Sequence, residues 1–245
     1  MNIIFSIVLP CYNEFNSLPS IIESFHSLLK SISDTEVIFV NNGSTDNSLS
    51  LLNNLSLQQQ YKWAKIVNVP FNQGYGHGLM IGLREAKGKY IGWTHADSQY
   101  CPDNIIKAIF YLKSFNLNDK YILQGHRIKR NIVDYFFTLS MSLVTFIYTG
   151  KYFKDINAQP KFFHRDLLYC LNKPPQDFSF DLYVLYLAEN LNYKKIYYPI
   201  KYNKRLYGTA KGGGSIALKF KLSMRTFKFI KNFKQNYNLT KLDLS

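Results

Sequence analysis

The first half of the chain alternates short apolar runs with segments of helical periodicity, and this alternation is its strongest structural constraint. Residues 3–9 form an apolar run that ends at Pro10, whereas apolar residues recur at helical spacing over residues 17–30. The same reading predicts strands at 36–40, 65–69, 89–94 and 121–124, and helices after residue 44 or 45, at 78–86 and at 102–112. Strands separated by helices form a mostly parallel sheet with right-handed crossovers, so the sequence predicts an α/β fold.

The second half has a different pattern. Helices are predicted at 132–148, 166–171 and 178–190, followed by a short strand pair within 195–202 and a glycine-rich stretch, 204–214. A basic amphipathic helix is predicted at 215–233, with strand as the alternative because residues 218–225 alternate strictly. With 245 residues, 47% of them hydrophobic, the chain can build a full core. We therefore expect a domain over 1–213 and a helical tail over 214–245.

Positive charge is concentrated near the carboxyl end. Residues 194–245 carry 13 Lys and Arg against one acidic residue, in a chain of net charge +14. Such a segment suggests an anionic partner, namely nucleic acid, acidic lipid or a phosphorylated substrate, although solvated lysines are the alternative. No nucleic-acid-reading motif accompanies the charge, so a nucleic-acid role is not expected.

Cysteine usage and hydropathy bear on location. Cys11, Cys101 and Cys170 lie far apart and are odd in number, which favours a reducing, cytoplasmic setting without disulfides. The longest uncharged stretch, 135–150, has 16 residues and several hydroxyl side chains, fewer than a membrane span needs. We therefore expect membrane contact to be peripheral, on the cytoplasmic face.

Polar turns follow the first, second and fourth predicted strands. They read CYNE (11–14), NNGSTD (41–46) and HADSQ (95–99). Ligands of open α/β sheets bind beyond the carboxyl ends of the strands. The three turns are therefore expected to converge on one cleft.

Six motifs in register carry a family resemblance. They are VLPCYNE (8–14), VNNGSTD (40–46), NQGYGHG (72–78), HADSQ, GHR (125–127) and RLYGTAK (205–211). In order and spacing they resemble inverting family 2 glycosyltransferases of the dolichol-phosphate or polyprenyl-phosphate sugar synthase branch, over roughly residues 3–235. The resemblance implies a GT-A fold and transfer of a hexose from a nucleoside diphosphate sugar to polyprenyl phosphate at the membrane, in cell envelope glycan biosynthesis.

The resemblance also implies a divalent metal, Mg²⁺ or Mn²⁺, held by an Asp-x-Asp turn against the diphosphate. Here that turn is His95, Ala96, Asp97, so the first carboxylate is missing. Asp97 is expected to be the primary ligand and catalytic, Gln99 to add a carbonyl oxygen, and His95 to bind the metal or the ribose. An imidazole favours Mn²⁺ or a weaker metal dependence. A noncatalytic nucleotide-sugar-binding homologue is the alternative.

Further site residues come from the same resemblance. Arg127, Arg205 and Lys211 match family positions that contact phosphates, with Arg127 also expected to act in catalysis. Residues of the nucleotide site are expected to be Pro10, Tyr12, Glu14, Val40, Asn42, His95 and Ala96. The family usually has Asp in place of Asn42, so base selectivity is not carried over. Gly74, Gly76 and Gly78 serve either a ligand or tight helix packing.

The acceptor determines whether a base is needed. A polyprenyl phosphate is already ionised near neutrality, with a second pKa of about 6, whereas a sugar hydroxyl needs a general base. For transfer to a hydroxyl of a surface polysaccharide, Asp181 is the candidate base; otherwise it caps a helix or pairs with Arg205. Gln159 stands where the family usually has a small residue.

Overall fold

The structure is a computed structural model that describes residues 2–97, 101–128, 132–201, 224 and 227–231. Its sheet has seven strands in the order β3-β2-β1-β4-β6-β5-β7. The strands are β1 (Phe5–Cys11), β2 (Thr35–Asn42), β3 (Ala64–Val69), β4 (Tyr90–Trp93), β5 (Tyr121–Ile128), β6 (Lys161–His164) and β7 (Lys194–Lys201). All neighbours pair in parallel except β6, which is antiparallel to β4 and β5.

Seven α-helices connect the strands of the described chain. They are α1 (Leu18–Leu29), α2 (Ser48–Ser56), α3 (Tyr75–Glu85), α4 (Pro102–Lys113), α5 (Ile132–Thr149), α6 (Asp166–Tyr169) and α7 (Phe180–Asn190), with a short 3₁₀ helix at Gln59–Tyr61. This arrangement confirms the predicted α/β fold with a mostly parallel sheet.

The helices cover both faces of the sheet because the central strands carry apolar side chains on both faces. On β1, Ile7 and Leu9 pack with α1, α2 and α4, whereas Val8 faces the opposite core with α3, α6 and α7. On β2, Phe39 and Val40 separate in the same way. Since successive strand residues point to opposite faces, a continuous apolar run fills both layers.

Three element predictions need correction. β6 was not predicted, because its four residues begin with a lysine and give too short a pattern to read. The strand pair expected within 195–202 is a single strand, β7, parallel to β5, and Pro199 is tolerated there because β7 is an edge strand. Helix α3 begins at Tyr75, before the predicted residue 78.

The carboxyl-terminal region is described only in part. Met224 and residues 227–231 are helical, while the glycine-rich stretch and most of the window 218–225 lie outside the described residues, so the helix over 215–233 stays a prediction. Ile230 is 1% exposed and packs in the α3–α7 core, and the Phe227 ring lies 5.5 Å from that of Tyr148 on α5. This side of the helix therefore faces protein. The division at residue 213 stays a prediction.

Helix α5 has an unusual distribution of side chains. Its buried residues are the hydroxyl-bearing Ser142, Thr145 and Thr149, each of which donates to the carbonyl four residues earlier. The exposed positions include Ile132 and Phe136, which are 87% and 66% exposed. The helix has 18 residues, is 17% buried, and is long and apolar enough to cross a membrane, contrary to our reading of this stretch. Length and composition alone are weak evidence for a span.

Gly82 provides a test of how closely α3 approaches the sheet. A Cβ added at this position would lie 2.5 Å from a methyl of Val8 and 2.6 Å from one of Val40. We expect Gly82→Ala to lower the free energy of unfolding by about 1–3 kcal/mol, measured by urea denaturation, because overpacking forces these strands apart. Arg84→Ala, exposed on the same helix, is the control and should change it by less than about 0.5 kcal/mol. Equal effects of both substitutions would contradict this packing.

Candidate active site

The site lies at the carboxyl ends of β1, β2 and β4, where the strand order reverses beside β1. The turns after β1 and β2 are joined directly. The Asn13 backbone donates to Ser44 Oγ at 3.1 Å, its side-chain amide donates to Thr45 Oγ1 at 3.0 Å, and the Glu14 backbone donates to Ser48 Oγ at 3.0 Å. These contacts show that two of the three polar turns converge as predicted.

The glycine-rich motif at residues 72–78 places α3 against the segment before α7. The Gly76 backbone donates to the Gln176 carbonyl at 2.7 Å, and a Cβ at Gly76 would lie 2.1 Å from the carbonyl oxygen of Pro175. Gly74 has φ +110°, a conformation that favours glycine, and its carbonyl accepts from Asn42 Nδ2 at 3.0 Å. Of the two roles proposed for these glycines, tight packing therefore has direct structural support.

The turn after β4 packs against an aromatic stack. The Tyr75 ring stacks on Phe178 with centroids 4.7 Å apart and lies 5.6 Å from the His95 ring at a tilt of 34°. Burial lowers the pKa of His95, against the opposing effect of the Asp97 carboxylate. The imidazole is therefore held in its neutral form, which can accept a hydrogen bond or bind a cation.

Arg127 is held by Asp155. The Asp155 carboxylate accepts from the Arg127 backbone at 2.9 Å, from Nε at 3.0 Å, and from a terminal nitrogen of the same guanidinium. The side chains are 15% and 3% exposed. Asp155 thus fixes the orientation of this guanidinium at the end of β5, and any phosphate would share it with that carboxylate.

A second ion pair is completely buried. Lys161 Nζ donates to Asp181 Oδ1 at 2.5 Å and to the Ala158 carbonyl at 2.7 Å, and the same Asp181 oxygen accepts from Gln159 Nε2 at 2.8 Å. Burial lowers the pKa of Lys161, while Asp181 opposes that shift. Among the described residues, the candidate base Asp181 is therefore engaged by an ammonium and an amide.

The remaining predicted residues are placed as follows. Tyr12, Glu14 and Pro10 are partly exposed at the end of β1, whereas Asn42 is buried. The side chains of Val40 and Ala96 lie in the core, so only their backbone is available to a ligand. Gln99, Arg205 and Lys211 lie outside the described residues.

The described residues contain no cluster of three or more His, Cys, Asp or Glu suited to a metal ion. The donors of the turn after β4 are one carboxylate, Asp97, and one neutral imidazole, His95. This set fits an ion that also takes oxygens from a bound diphosphate, and it suits Mn²⁺ better than Mg²⁺, which prefers carboxylates and water.

Sequence reasoning missed four residues of this site. Asp155 and Lys161 lie in residues 155–163, which resemble the family's substrate-side segment, but neither side chain was given a role. Tyr75 lies in the motif 72–78, before the helix predicted at 78–86, and Phe178 begins the helix predicted at 178–190; neither ring was given a role. A signal for Lys161 was present, because a lysine at the start of an apolar strand is buried only when a carboxylate meets it. Cys11, Cys101 and Cys170 are free, as expected.

The fold and the cleft define an α/β protein whose polar turns meet at the carboxyl edge of a mostly parallel sheet. Residues 6–185 match the family described as Glycosyl transferase family 2. The chain belongs to this family and has the GT-A fold.

Relatives agree with this assignment. The chain is 26% identical over 213 residues to undecaprenyl-phosphate 4-deoxy-4-formamido-L-arabinose transferase of Pectobacterium atrosepticum, covering 84% of this chain and 62% of that protein. It is 35% identical over 107 residues to the enzyme of the same name from Yersinia enterocolitica, covering 42% of this chain and 32% of that protein. The chain thus spans less than two thirds of these relatives.

Solved structures share the fold. Glucosyl-3-phosphoglycerate synthase from Mycobacterium tuberculosis, in complex with phosphoglyceric acid, superposes with a TM-score of 0.71 at 16% identity, covering 94% of this chain and 80% of that chain. The same synthase in complex with Mn²⁺, UDP and phosphoglyceric acid gives a TM-score of 0.70 at 16% identity, covering 93% and 78%.

Proposed function

We propose that this glycosyltransferase moves a hexose, with inversion, from a nucleoside diphosphate sugar to a polyprenyl phosphate. The observation that carries the proposal is the pairing of Asp181 with Lys161. A hydroxyl acceptor would need Asp181 to take a proton, and the oxygen nearest Lys161 already accepts two hydrogen bonds. A lipid phosphate arrives ionised and needs no base. The names of the undecaprenyl-phosphate transferases above support the same acceptor class.

In the proposed mechanism the nucleotide lies over the end of β1, with Tyr12 stacked on the base and Glu14 accepting from base or ribose. Asp97 and His95 would hold a divalent ion, and that ion would supply positive charge for the departing diphosphate. Arg127, oriented by Asp155, would contact phosphate oxygens of the donor. Arg205 and Lys211 are proposed to add positive charge there. The acceptor phosphate attacks the anomeric carbon from the face opposite the diphosphate.

A test of the acceptor is to incubate the protein with undecaprenyl phosphate and radiolabelled UDP-, GDP- and dTDP-sugars. We expect label in the organic phase after chloroform–methanol extraction. Asp97→Asn should lower that product by about 100-fold or more, because charge on the leaving group is then less stabilised. Label that remains in the aqueous phase, attached to a glycan, would favour the alternative, which is transfer to a sugar hydroxyl. Stoichiometric binding without release of nucleoside diphosphate, unchanged by Asp97→Asn, would favour a noncatalytic homologue.

The metal preference follows from the His95 imidazole. We expect Mn²⁺ to tighten binding of the nucleoside diphosphate more than Mg²⁺ does, measured by isothermal titration calorimetry. In His95→Asp, Mg²⁺ and Mn²⁺ should tighten binding of the nucleoside diphosphate to a similar extent, because the substitution restores a second carboxylate. Asp97→Asn is the control and should remove the metal-dependent part of binding. Identical Mg²⁺ and Mn²⁺ responses in wild type would argue against His95 as a ligand.

We further propose that the protein works on the cytoplasmic face of the membrane and contacts it through α5. The outward side of this helix is apolar while its inward side carries hydroxyls, the reverse of an ordinary surface helix. Phe227 contacts Tyr148 near the end of α5, and the exposed lysines Lys228 and Lys231 follow it on the same helix. An apolar face beside positive charge matches the surface of an anionic bilayer.

Membrane contact is tested with phosphatidylglycerol vesicles in a sedimentation assay. The double variant Phe136→Ser, Ile147→Ser should weaken binding by on the order of tenfold or more, since both side chains are well exposed on α5. Leu57→Ser, at a well exposed position just after α2, is the control and should bind like wild type. Point variants are preferable to deleting 215–245, because Ile230 belongs to the core. Binding of the double variant at the wild-type level would refute the role of α5.

A further inference from the structure

Gln159 is held rigidly beside the candidate active site. Its backbone is pressed against β5: Gly125 donates to the Pro160 carbonyl at 2.8 Å, and a Cβ at Gly125 would lie 2.1 Å from the Gln159 carbonyl oxygen. The Gln159 side chain is 0% exposed. A side chain fixed in this way keeps a defined orientation when a ligand arrives.

The hydrogen bonds of Gln159 fix which end of its amide faces the site. Nε2 donates to Asp181 Oδ1 at 2.8 Å and to the Tyr75 hydroxyl at 3.4 Å. Asp181 is paired with the ammonium of Lys161, so it accepts and cannot donate. The amide nitrogen must therefore face Asp181, which leaves the carbonyl oxygen, Oε1, on the other side.

Gln159 Oε1 is buried and has no hydrogen-bond partner among the described residues. The same holds for buried polar atoms of Asn42, Trp93, Thr94 and Ser179. These residues lie at the carboxyl ends of β2 and β4 or just before α7. Asn42 bonds the start of α3, Trp93 lies under the Lys161 ammonium, Thr94 precedes His95, and Ser179 follows Phe178. Buried polar groups in native proteins are nearly always paired, so such a concentration indicates a polar ligand rich in hydrogen-bonding groups.

The hydrogen-bonding chemistry of Gln159 Oε1 determines which group of a ligand it can contact. A carbonyl oxygen only accepts, and phosphate oxygens also only accept, so a diphosphate would be repelled there. A sugar ring presents hydroxyl or amide N–H donors. We propose that Gln159 is a specificity-determining residue, whose carbonyl oxygen accepts a hydrogen bond from one hydroxyl or N–H of the donor sugar. This inference rests on the proposed use of a nucleoside diphosphate sugar.

Gln159→Met is the discriminating variant, because it keeps the length of the side chain and removes the acceptor. Binding of UDP, GDP, UDP-glucose and GDP-mannose is measured by calorimetry with Mn²⁺. Wild type is expected to bind one nucleoside diphosphate and its sugar nucleotide, either UDP with UDP-glucose or GDP with GDP-mannose. For that sugar nucleotide, we expect Gln159→Met to raise Kd roughly tenfold, while Kd for the free nucleoside diphosphate stays unchanged. Monodeoxy forms of the bound sugar then identify the group: one of them should bind wild type more weakly than the parent sugar and bind the variant equally well.

Each other outcome counts against a defined claim. A variant that binds the sugar nucleotide as wild type does overturns the role of Gln159 and leaves the proposed function standing. Equal losses for the sugar nucleotide and the free diphosphate also overturn it, since they indicate general damage. Gln58→Met, on an exposed surface, is the control for the substitution itself. If wild type binds none of these nucleotides, the proposed function fails and this inference fails with it.

Discussion

The buried contact between Lys161 and Asp181 is the interaction on which the rest of the site depends. Two opposite charges leave water together, and each alone would carry a desolvation cost of several kcal/mol. Lys161 begins β6, the short antiparallel strand between β4 and β5, while Asp181 lies in the first turn of α7. The pair therefore connects the centre of the sheet to the helix that closes the cleft. It also places Gln159, whose amide uses the same carboxylate oxygen.

A second pair, Arg127 with Asp155, connects the end of β5 to the start of the same segment. Both ends of residues 155–161 are thus tied by charge to neighbouring elements. Replacing buried pairs by apolar residues is often neutral or stabilising in proteins, so stability alone gives little reason to keep two here. Each pair instead fixes the orientation of a polar group: Asp155 holds the Arg127 guanidinium, and Asp181 holds the Gln159 amide. The neutral His95 leaves Asp97 as the carboxylate of its turn, which makes the oriented guanidinium more important to any bound diphosphate.

The sequence predicted the fold well where patterns were long and failed where contacts were distant. The apolar runs of β1 and β2 and the stripe of α1 specify their elements locally, and the turns that follow them converge because parallel strands place their carboxyl ends together. β6 has four residues, and its pairing partners lie far away in the chain, so no local pattern reports it. The ion pairs were missed for the same reason. Lys161 and Asp181 meet through β6 and α7, and periodicity carries no information about which charge meets which.

Helix α5 connects the chemistry of the cleft to the proposed acceptor. It follows β5, the strand that carries Arg127, so the exposed apolar helix begins five residues after the side chain proposed to bind phosphate. A polyprenyl phosphate combines these two properties in one molecule, with a charged head on a hydrocarbon chain. A protein that took a soluble acceptor would gain nothing from facing Phe136 and Ile147 outward while the fully buried positions of the helix carry hydroxyls. The arrangement of α5 and the engaged state of Asp181 are independent observations, and both favour a lipid phosphate.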